Sequence, residues 1–590
     1  MRFVFKAVVL SAFVISLFLN TTQAFTLKPP QINAKLPTTQ QFVIKRGGNL
    51  TGFFQYGDFS ASRLNELNTM KEVGLDFIRL PIEPTRFYDT NSPNWQRLNT
   101  TITRANQLGL TVIVDLHPIF STQDAALTGN GDPRYLVLLT KMSQFLANYK
   151  QTKVALELMN EPIAPGDDKC PANFDWNKWQ RKFYAAARAG NKNITLILTG
   201  ACWGGINGLL KVERIADTNV IYSFHFYEPF QFTHQSASWA GLEQIYLRQV
   251  PYPARPDSVA RIMPTVLYGV PTEAQKVLYR DTLTAYGESG FDRASMLVQM
   301  VDAKNWAAKN KVRLMMGEFG VLTYNAPPQD RIKCLRDMRE VAESLGFSHA
   351  VWDFSSDGNF GPYRNGKLEA GALVALGLKV PATALATPAN MPINTAIKAN
   401  PAVIKTLLIA NFDNGSENLL GMPIDYFNYG KPKISEFTAP NVNGSAPVSD
   451  GKILFDFNIP PNNEFGGVAV NIPTGNIVNS QFTHVRFTLS AVNAGKNSEK
   501  NGEKNSAKFR VGLGGNKKIT GGDYPQITIE ATNEPTQFTI PFDMFVQAGW
   551  GKKAKLADLI TSFDAIEITA TEVGKPGRVY IDDVQLLNMQ

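Results

Sequence analysis

The chain has 590 residues, 44% of them hydrophobic and 19% charged, which excludes a disordered or fibrous polymer and supplies core for two to four domains. Its net charge of +8 is dispersed, and the densest basic stretch, "GKNSEKNGEKNSAK" at 495–508, is broken by Glu, Asn and Ser. That stretch reads as a solvated loop, so no phosphate-gripping surface is indicated and nucleic acid is excluded as a partner. Three cysteines, Cys170, Cys202 and Cys334, exclude a disulfide framework.

The N-terminus carries Arg2 and Lys6, an apolar stretch from Ala7 to Leu19, and Thr22-Gln23-Ala24. This is the pattern of a signal peptide over residues 1–24, cut after Ala24. The apolar stretch is too short to span a bilayer comfortably, and no later one is long enough. The mature protein is therefore expected to be secreted or periplasmic, with no membrane partner.

From about 45 to 380, strand-like runs alternate with helix-like runs. The predicted strands are 49–54, 76–81, 111–117, 154–160, 194–200, 220–226, 313–319 and 349–354. Most are continuous apolar runs, as in parallel strands covered on both faces. Helical patterns lie between them at 63–74, 98–109, 134–150 and 330–346, several ending in Gly just before the next strand. Eight such units predict a (β/α)8 TIM barrel over 25–380. A doubly wound open sheet would want a glycine-rich phosphate turn after an early strand, and none is present. Residues 227–300 are too long for one loop and helix and are expected to elaborate the barrel mouth.

Residues 381–404 are rich in Pro, Ala and Thr and read as a linker or strap. From 405 to 590 short period-two runs such as "HVRFTLS", "QITIEA" and "RVYIDDVQLL" alternate with turn signals. They predict an all-β sandwich of jelly-roll type.

The C-terminal strand ends of a barrel are where its chemistry is built. There the sequence places Arg79, Asp115, His117, Asn160, Glu161, His225, Tyr227, Glu318 and Trp352. Strands 4 and 7 face each other across the mouth, so Glu161 and Glu318 are predicted to oppose each other. Two carboxylates about 5 Å apart make a retaining glycosidase. Glu161, in a cleft facing a second carboxylate, is expected to have a raised pKa; Arg79 is expected to keep Glu318 ionised. Tyr227 would hydrogen-bond the nucleophile, Asn160 would hold a sugar 2-hydroxyl, and Trp352 would stack on a pyranose ring. Five scattered histidines with no His-x-x-x-His spacing speak against metal hydrolysis. Cys170 and Cys202 follow strands 4 and 5 at the same rim and are candidates for one disulfide, with Cys334 buried and free on a helix.

These residues, in order, resemble the motifs of glycoside hydrolase family 5, the cellulase family of clan A: "GGNLTGFF", Arg79 in "FIRLPI", His117 in "VIVDLHP", Asn160-Glu161-Pro162, His225 and Tyr227 in "HFYEP", Glu318 in "MGEFG" and Trp352 in "VWDF". The resemblance covers about 40–380. It implies Glu161 as acid/base, Glu318 as nucleophile, and no cofactor for catalysis. "YEPFQFTHQSASW" looks like a stretch of the endoglucanase-like members, with His234 and Trp239 as cleft-lining candidates. His117-Pro118 departs from the His-His or His-Asn common after strand 3, which puts one sugar contact in doubt. The implied activity is a secreted endo-β-1,4-glucanase acting as a monomer on a polysaccharide. β-Mannanase, xyloglucanase and β-1,3-glucanase stay open within the family, as does a non-catalytic carbohydrate-binding protein outside it.

The strands at 407–421 and 578–587 resemble the first and last of a family 11-like carbohydrate-binding module. Such modules pair these strands and often hold a structural calcium, for which Asp413 and Asp583, with Asp582 beside it, are the candidate ligands. Tyr426, Phe427, Tyr429, Tyr524 and Trp550 are candidates for sugar contact, inseparable from core by sequence.

Overall fold

The computed structural model describes residues 42–55, 61–166, 170–392, 402–412, 419, 422, 424–429, 448–449, 452–457, 465–472, 481–493, 506–515, 520–549, 551–560, 562–571 and 577–589. The predicted signal peptide, Asp413 and Trp550 lie outside them.

Eight parallel strands close into a barrel in sequence order: β1 (Arg46–Asn49), β2 (Phe77–Ile82), β3 (Thr111–Leu116), β4 (Val154–Glu157), β5 (Thr195–Thr199), β6 (Val220–His225), β7 (Arg313–Glu318) and β8 (Ser348–Val351). Closure is by β1 against β8, with Arg46 opposite His349 and Gly48 opposite Val351. The apolar runs are continuous because both faces are covered. One set of alternate residues, such as Leu80, Val114, Leu156, Leu198 and Phe224, packs outward under the helices. The other set fills the barrel: Phe77, Ile113, Ala155, Ile197, Ile221, Met315 and Ala350 form one apolar plug. Two residues further along β2, β3, β4 and β5, the same inward positions become Arg79, Asp115, Glu157 and Thr199, all buried. Strand periodicity thus puts a polar layer directly on an apolar one.

Two strand boundaries differ from the sequence reading. β1 ends where the predicted strand began, because Gly47 and Gly48 pair with both β2 and β8. A Cβ on Gly47 would lie 2.4 Å from the Phe77 ring, so the close approach of β1 to β2 requires glycine there. β4 stops at Glu157, which leaves Asn160 and Glu161 on the loop beyond it. Helix ends follow local chemistry. Asp132 caps the helix Pro133–Leu146 through the Arg134 amide at 2.9 Å, and Gly74 at φ 98° closes the helix Asn65–Val73.

The insertion between β6 and β7 does not simply cover the mouth. Its first part stays near Tyr227. Its later helices, Pro256–Tyr268 and Glu273–Ser289, pack on each other and reach the C-terminal region. Tyr246 Oη donates to Thr528 O at 3.2 Å, Thr539 N donates to Pro271 O at 2.9 Å, and Tyr268 meets His484 edge-on at 5.2 Å. Residues 381–392 strap the barrel: Ala370 N donates to Leu385 O at 2.7 Å, and Gln329 N to Asn390 Oδ1 at 2.8 Å.

The C-terminal region holds two antiparallel sheets. The six-stranded one orders Val448–Ser449, Lys452–Phe457, Gly577–Met589, His484–Asn493 and Thr536–Pro541, with Val403–Ala410 also paired to Gly577–Met589. The five-stranded one orders Ile424–Tyr429, Phe465–Asn471, Ala565–Ala570, Ser506–Gly514 and Gln526–Thr532. The first and last strands of the region therefore pair, with Leu407 opposite Leu586. Phe457 of one sheet meets Phe509 of the other at 5.6 Å.

The candidate disulfide is not formed. Cys202 is a free thiol, although it and Cys170 line the same cavity of about 310 Å³ beside the β4 and β5 loops. Cys334 is free and buried in the helix Pro328–Ser344.

Candidate active site

Arg79 is the hub. Its position in β2 points it into the polar layer, where it is wholly buried and its donors meet five side chains. Nε donates to Glu157 Oε2 at 2.6 Å and Nη2 to Glu157 Oε1 at 3.1 Å. Nη1 donates to Asn49 Oδ1 at 2.9 Å and to Glu318 Oε1 at 2.7 Å. Nη2 also donates to Asn160 Oδ1 at 2.7 Å and lies 3.1 Å from Asp115 Oδ2. Charge-assisted bonds of this kind are strong and directional, so the guanidinium orients both Glu318 and Asn160.

Asn160 is held from its other side as well. Its Nδ2 lies 3.1 Å from His117 Nε2, and His117 Nδ1 lies 2.8 Å from Asp115 Oδ2. With Asp115 ionised, His117 carries its proton on Nδ1 and accepts from the Asn160 amide. Burial holds His117 down to about 4, so it is neutral near pH 7. Trp352, just past β8, stacks on the His117 ring at 5.5 Å and 24° and remains partly exposed.

Glu161 sits on the loop after β4 with φ 38°, braced by Gln123, whose Oε1 accepts from Ile163 N at 2.8 Å. Its Oε1 is 2.7 Å from His225 Nδ1. Burial pushes the Glu161 carboxyl up to about 7 and holds His225 down to about 4. Glu318, the last residue of β7, receives Arg79 on Oε1 and the Tyr227 hydroxyl on Oε2 at 2.9 Å. Burial raises its pKa too, so Arg79 and His225 only partly offset the desolvation that the sequence reading left out. Glu161 has no arginine of its own and keeps the proton first. One carboxylate oxygen of each glutamate and a ring nitrogen of His225 all lie within 4.8 Å of one another. Gly317 makes the approach of β7 to β6 possible: a Cβ there would lie 2.4 Å from Ser223 Oγ and 3.2 Å from His225 Nε2.

Arg79, His117, Asn160, Glu161, His225, Tyr227, Glu318 and Trp352 therefore all meet at one end of the barrel. His234 is a brace: it is buried, stacked on Phe230 at 4.0 Å and edge-on to Tyr227 at 5.0 Å. Trp239 is 60% exposed near Phe360. Asp583, at φ 52° in the last strand, belongs to no group of ligand atoms suited to a metal among the described residues.

Sequence reading missed Asn49, Glu157 and Gln123. Glu157 had a signal: an acidic residue two positions after Ala155 in an apolar strand must share its inward face. It also missed Trp203 and Phe120, exposed aromatics that meet edge-on at 5.8 Å on the Glu161 side of the mouth.

A closed (β/α)8 barrel that presents two facing glutamates at its C-terminal mouth, one held by an arginine and one not, is a glycoside hydrolase scaffold. The model of the cellulase family, glycosyl hydrolase family 5, matches residues 49–358, and the chain belongs to this family. Endoglucanase 3 of Fibrobacter succinogenes is 27% identical over 359 residues, which are 57% of this chain and 53% of that protein. The chain thus spans about half the length of that relative. Endoglucanase C of Acetivibrio thermocellus is 26% identical over 330 residues, 52% of this chain and 91% of its own length. A Thermotoga maritima Cel5A structure with cellobiose is 24% identical, covers 56% of this chain and 97% of that one, and has a TM-score of 0.44.

Proposed function

We propose that the chain is a retaining, endo-acting β-glycanase with β-1,4-glucan as its substrate class. The carrying observation is the separation of Glu161 and Glu318, whose nearest suited oxygens lie within 4.8 Å. Retention uses carboxyls about 5–5.5 Å apart, whereas inversion needs about 6.5–9.5 Å to admit a water.

In this mechanism a Glu318 oxygen attacks the sugar C1 while protonated Glu161 gives its proton to the departing glycosidic oxygen. A glycosyl ester on Glu318 results. Glu161, now a carboxylate, takes a proton from water, and that water's oxygen displaces Glu318 from C1. Arg79 and Tyr227 hold the Glu318 carboxylate in attacking position. Asn160, clamped between Arg79 and His117, is set to receive the 2-hydroxyl. Trp352 offers a stacking face. Two carboxyls supply all the chemistry, so no cofactor enters. Exposed aromatics, Trp203 with Phe120 and, elsewhere on the mouth, Trp239 packed near the buried Phe360, support an extended sugar-binding cleft, and the names of the relatives support a glucan.

The test is hydrolysis by residues 25–590 of carboxymethylcellulose, barley β-glucan, xyloglucan, mannan and laminarin, with Glu318→Ala as control. A fast viscosity drop on one glucan, absent in the variant, supports the reading. Preference for mannan, xyloglucan or laminarin moves the substrate within the family, and identical behaviour of the variant moves the protein to pure binding.

The same proposal includes export after cleavage near Ala24, a monomeric state, and a C-terminal jelly-roll module that binds glycan. Calcium at Asp413 and Asp583 belongs to it on sequence grounds, and calorimetry with CaCl2 tests it.

A further inference from the structure

Three carboxylates, Asp115, Glu157 and Glu318, contact a single guanidinium, Arg79, and a fourth, Glu161, stands beside them at the mouth with its side chain 22% exposed. Four carboxylates against one guanidinium leave an excess of negative charge at the mouth, and such charge is costly where it is buried. Protons relieve it in ordinary turnover. A dication would relieve it equally well, provided ligand atoms converge.

They do. His225 Nδ1 lies 2.7 Å from Glu161 Oε1 and 3.6 Å from Glu318 Oε2. Glu161, His225 and Glu318 are the only such ligand group among the described residues. Zn²⁺ binds imidazole nitrogen and carboxylate oxygen at about 2.0–2.2 Å, so tetrahedral donors stand about 3.4 Å apart. The two spacings from His225 bracket that value, and the two carboxylate oxygens lie within 4.8 Å of each other, so side-chain rotation has to bring the glutamates onto the ion. Glu318 Oε2 accepts one hydrogen bond, from Tyr227, and retains capacity for a second partner.

We propose that Glu161, His225 and Glu318 form a site for a borderline-soft divalent cation, Zn²⁺ or Cu²⁺, whose binding occupies both reacting carboxylates and shuts hydrolysis off. Imidazole with two carboxylates suits these ions. Ca²⁺ and Mg²⁺, which want six or more oxygens, are excluded. The assignment of a ligand site rests on the geometry, and only its inhibitory consequence rests on the glycanase reading above.

The experiment is calorimetric titration of the whole protein with ZnCl2, in wild type, Glu161→Gln and Glu318→Gln, with MgCl2 as the control ion. The expected result is one zinc site in the wild type, weakened at least about tenfold in each folded variant, with no response to Mg²⁺. Wild-type hydrolysis should fall with added ZnCl2 and return with EDTA. Zinc binding that is absent, or equal in all three proteins, overturns the proposal. If the wild type hydrolyses no glycan yet binds zinc through these residues, the glycanase reading fails and the metal site stands. If it hydrolyses glucan while zinc binding ignores both substitutions, the metal site fails and the glycanase reading stands.

Discussion

Arg79 and Glu157 form a two-point ion pair at 2.6 and 3.1 Å, with both side chains wholly buried. Glu157 is itself fixed by Thr199 Oγ1, which donates to its Oε1 at 2.8 Å. The pair is the backstop that aims the other face of the guanidinium at Glu318 and Asn160. Breaking a buried pair by neutralising one partner costs about 3 kcal/mol. Glu157→Gln is therefore expected to lower stability by that order and kcat by about 10–100-fold, with KM little changed, since misaimed groups slow the chemical step more than binding. Denaturant melts and steady-state kinetics on the same preparation check it; a drop in stability without a drop in kcat would make Glu157 purely structural.

Glu161 must be protonated to act as acid, and burial places its pKa at about 7. The rate should accordingly decline as pH rises through about 7, and the alkaline limb of kcat/KM should report this group. Asp115 contributes repulsion that raises Glu161. Asp115→Asn removes it, so the limb should move to lower pH. A limb that stays in place in a folded variant would contradict the coupling.

The two glutamates should fail differently. Glu161→Ala is expected to lose about 10²–10⁴-fold on a glucan, where the leaving group needs a proton. It should lose much less in the first step with a nitrophenyl glycoside, whose leaving group does not. Glu318→Ala should lose both alike. Pre-steady-state release of nitrophenol separates the two.

At the opposite end of the barrel, Glu343 accepts from Arg46 Nε at 2.6 Å, Arg339 Nη1 at 2.9 Å and His349 Nε2 at 3.1 Å. Burial pushes its pKa up, but these bonds from His349, Arg46 and Arg339 carry it well below the carboxylate range. A depressed folded-state pKa gives stability that is present above the unfolded value near 4.3 and lost as pH falls toward the folded value. Glu343→Gln should thus cost about 1 kcal/mol at pH 7, discounted for partial exposure to solvent. The difference from wild type should shrink below pH 4. Thermal melts across pH 3–7 test this.

Trp203 and Phe120 form an aromatic edge beside the acid/base. Trp203→Ala should raise KM on long glucans by roughly tenfold, equal to about 1.4 kcal/mol, and leave kcat near wild type. A kcat loss alone would place the ring's effect on the catalytic groups.

The barrel was legible in the sequence because inward and outward faces of a parallel sheet are both apolar, which leaves eight unmistakable runs. The working ends were legible because a polar residue that closes such a run has few other reasons to be there. Glu157 escaped notice because the run around it was read as uniformly apolar, although period two already assigned it to the inward face with Ala155. Asn49 escaped because it stands at the start of the predicted first strand, 49–54, whereas β1 ends there and makes it a strand tip. Gln123 acts through backbone atoms of a loop distant in sequence, and no local pattern announces that. The upward push on the Glu318 carboxyl depended on how completely the mouth excludes water, a property of packing rather than of neighbours in the chain.

The insertion between β6 and β7 meets the C-terminal sheets at Tyr246, Pro271 and Tyr268. Domains joined only by a tether melt as two events. Here the heat that loosens the β-sheets must also release the helices that flank β6 and β7, the strands carrying His225 and Glu318. Loss of activity on warming should then coincide with a single calorimetric peak, and a protease cut in the β-region would register at the catalytic mouth.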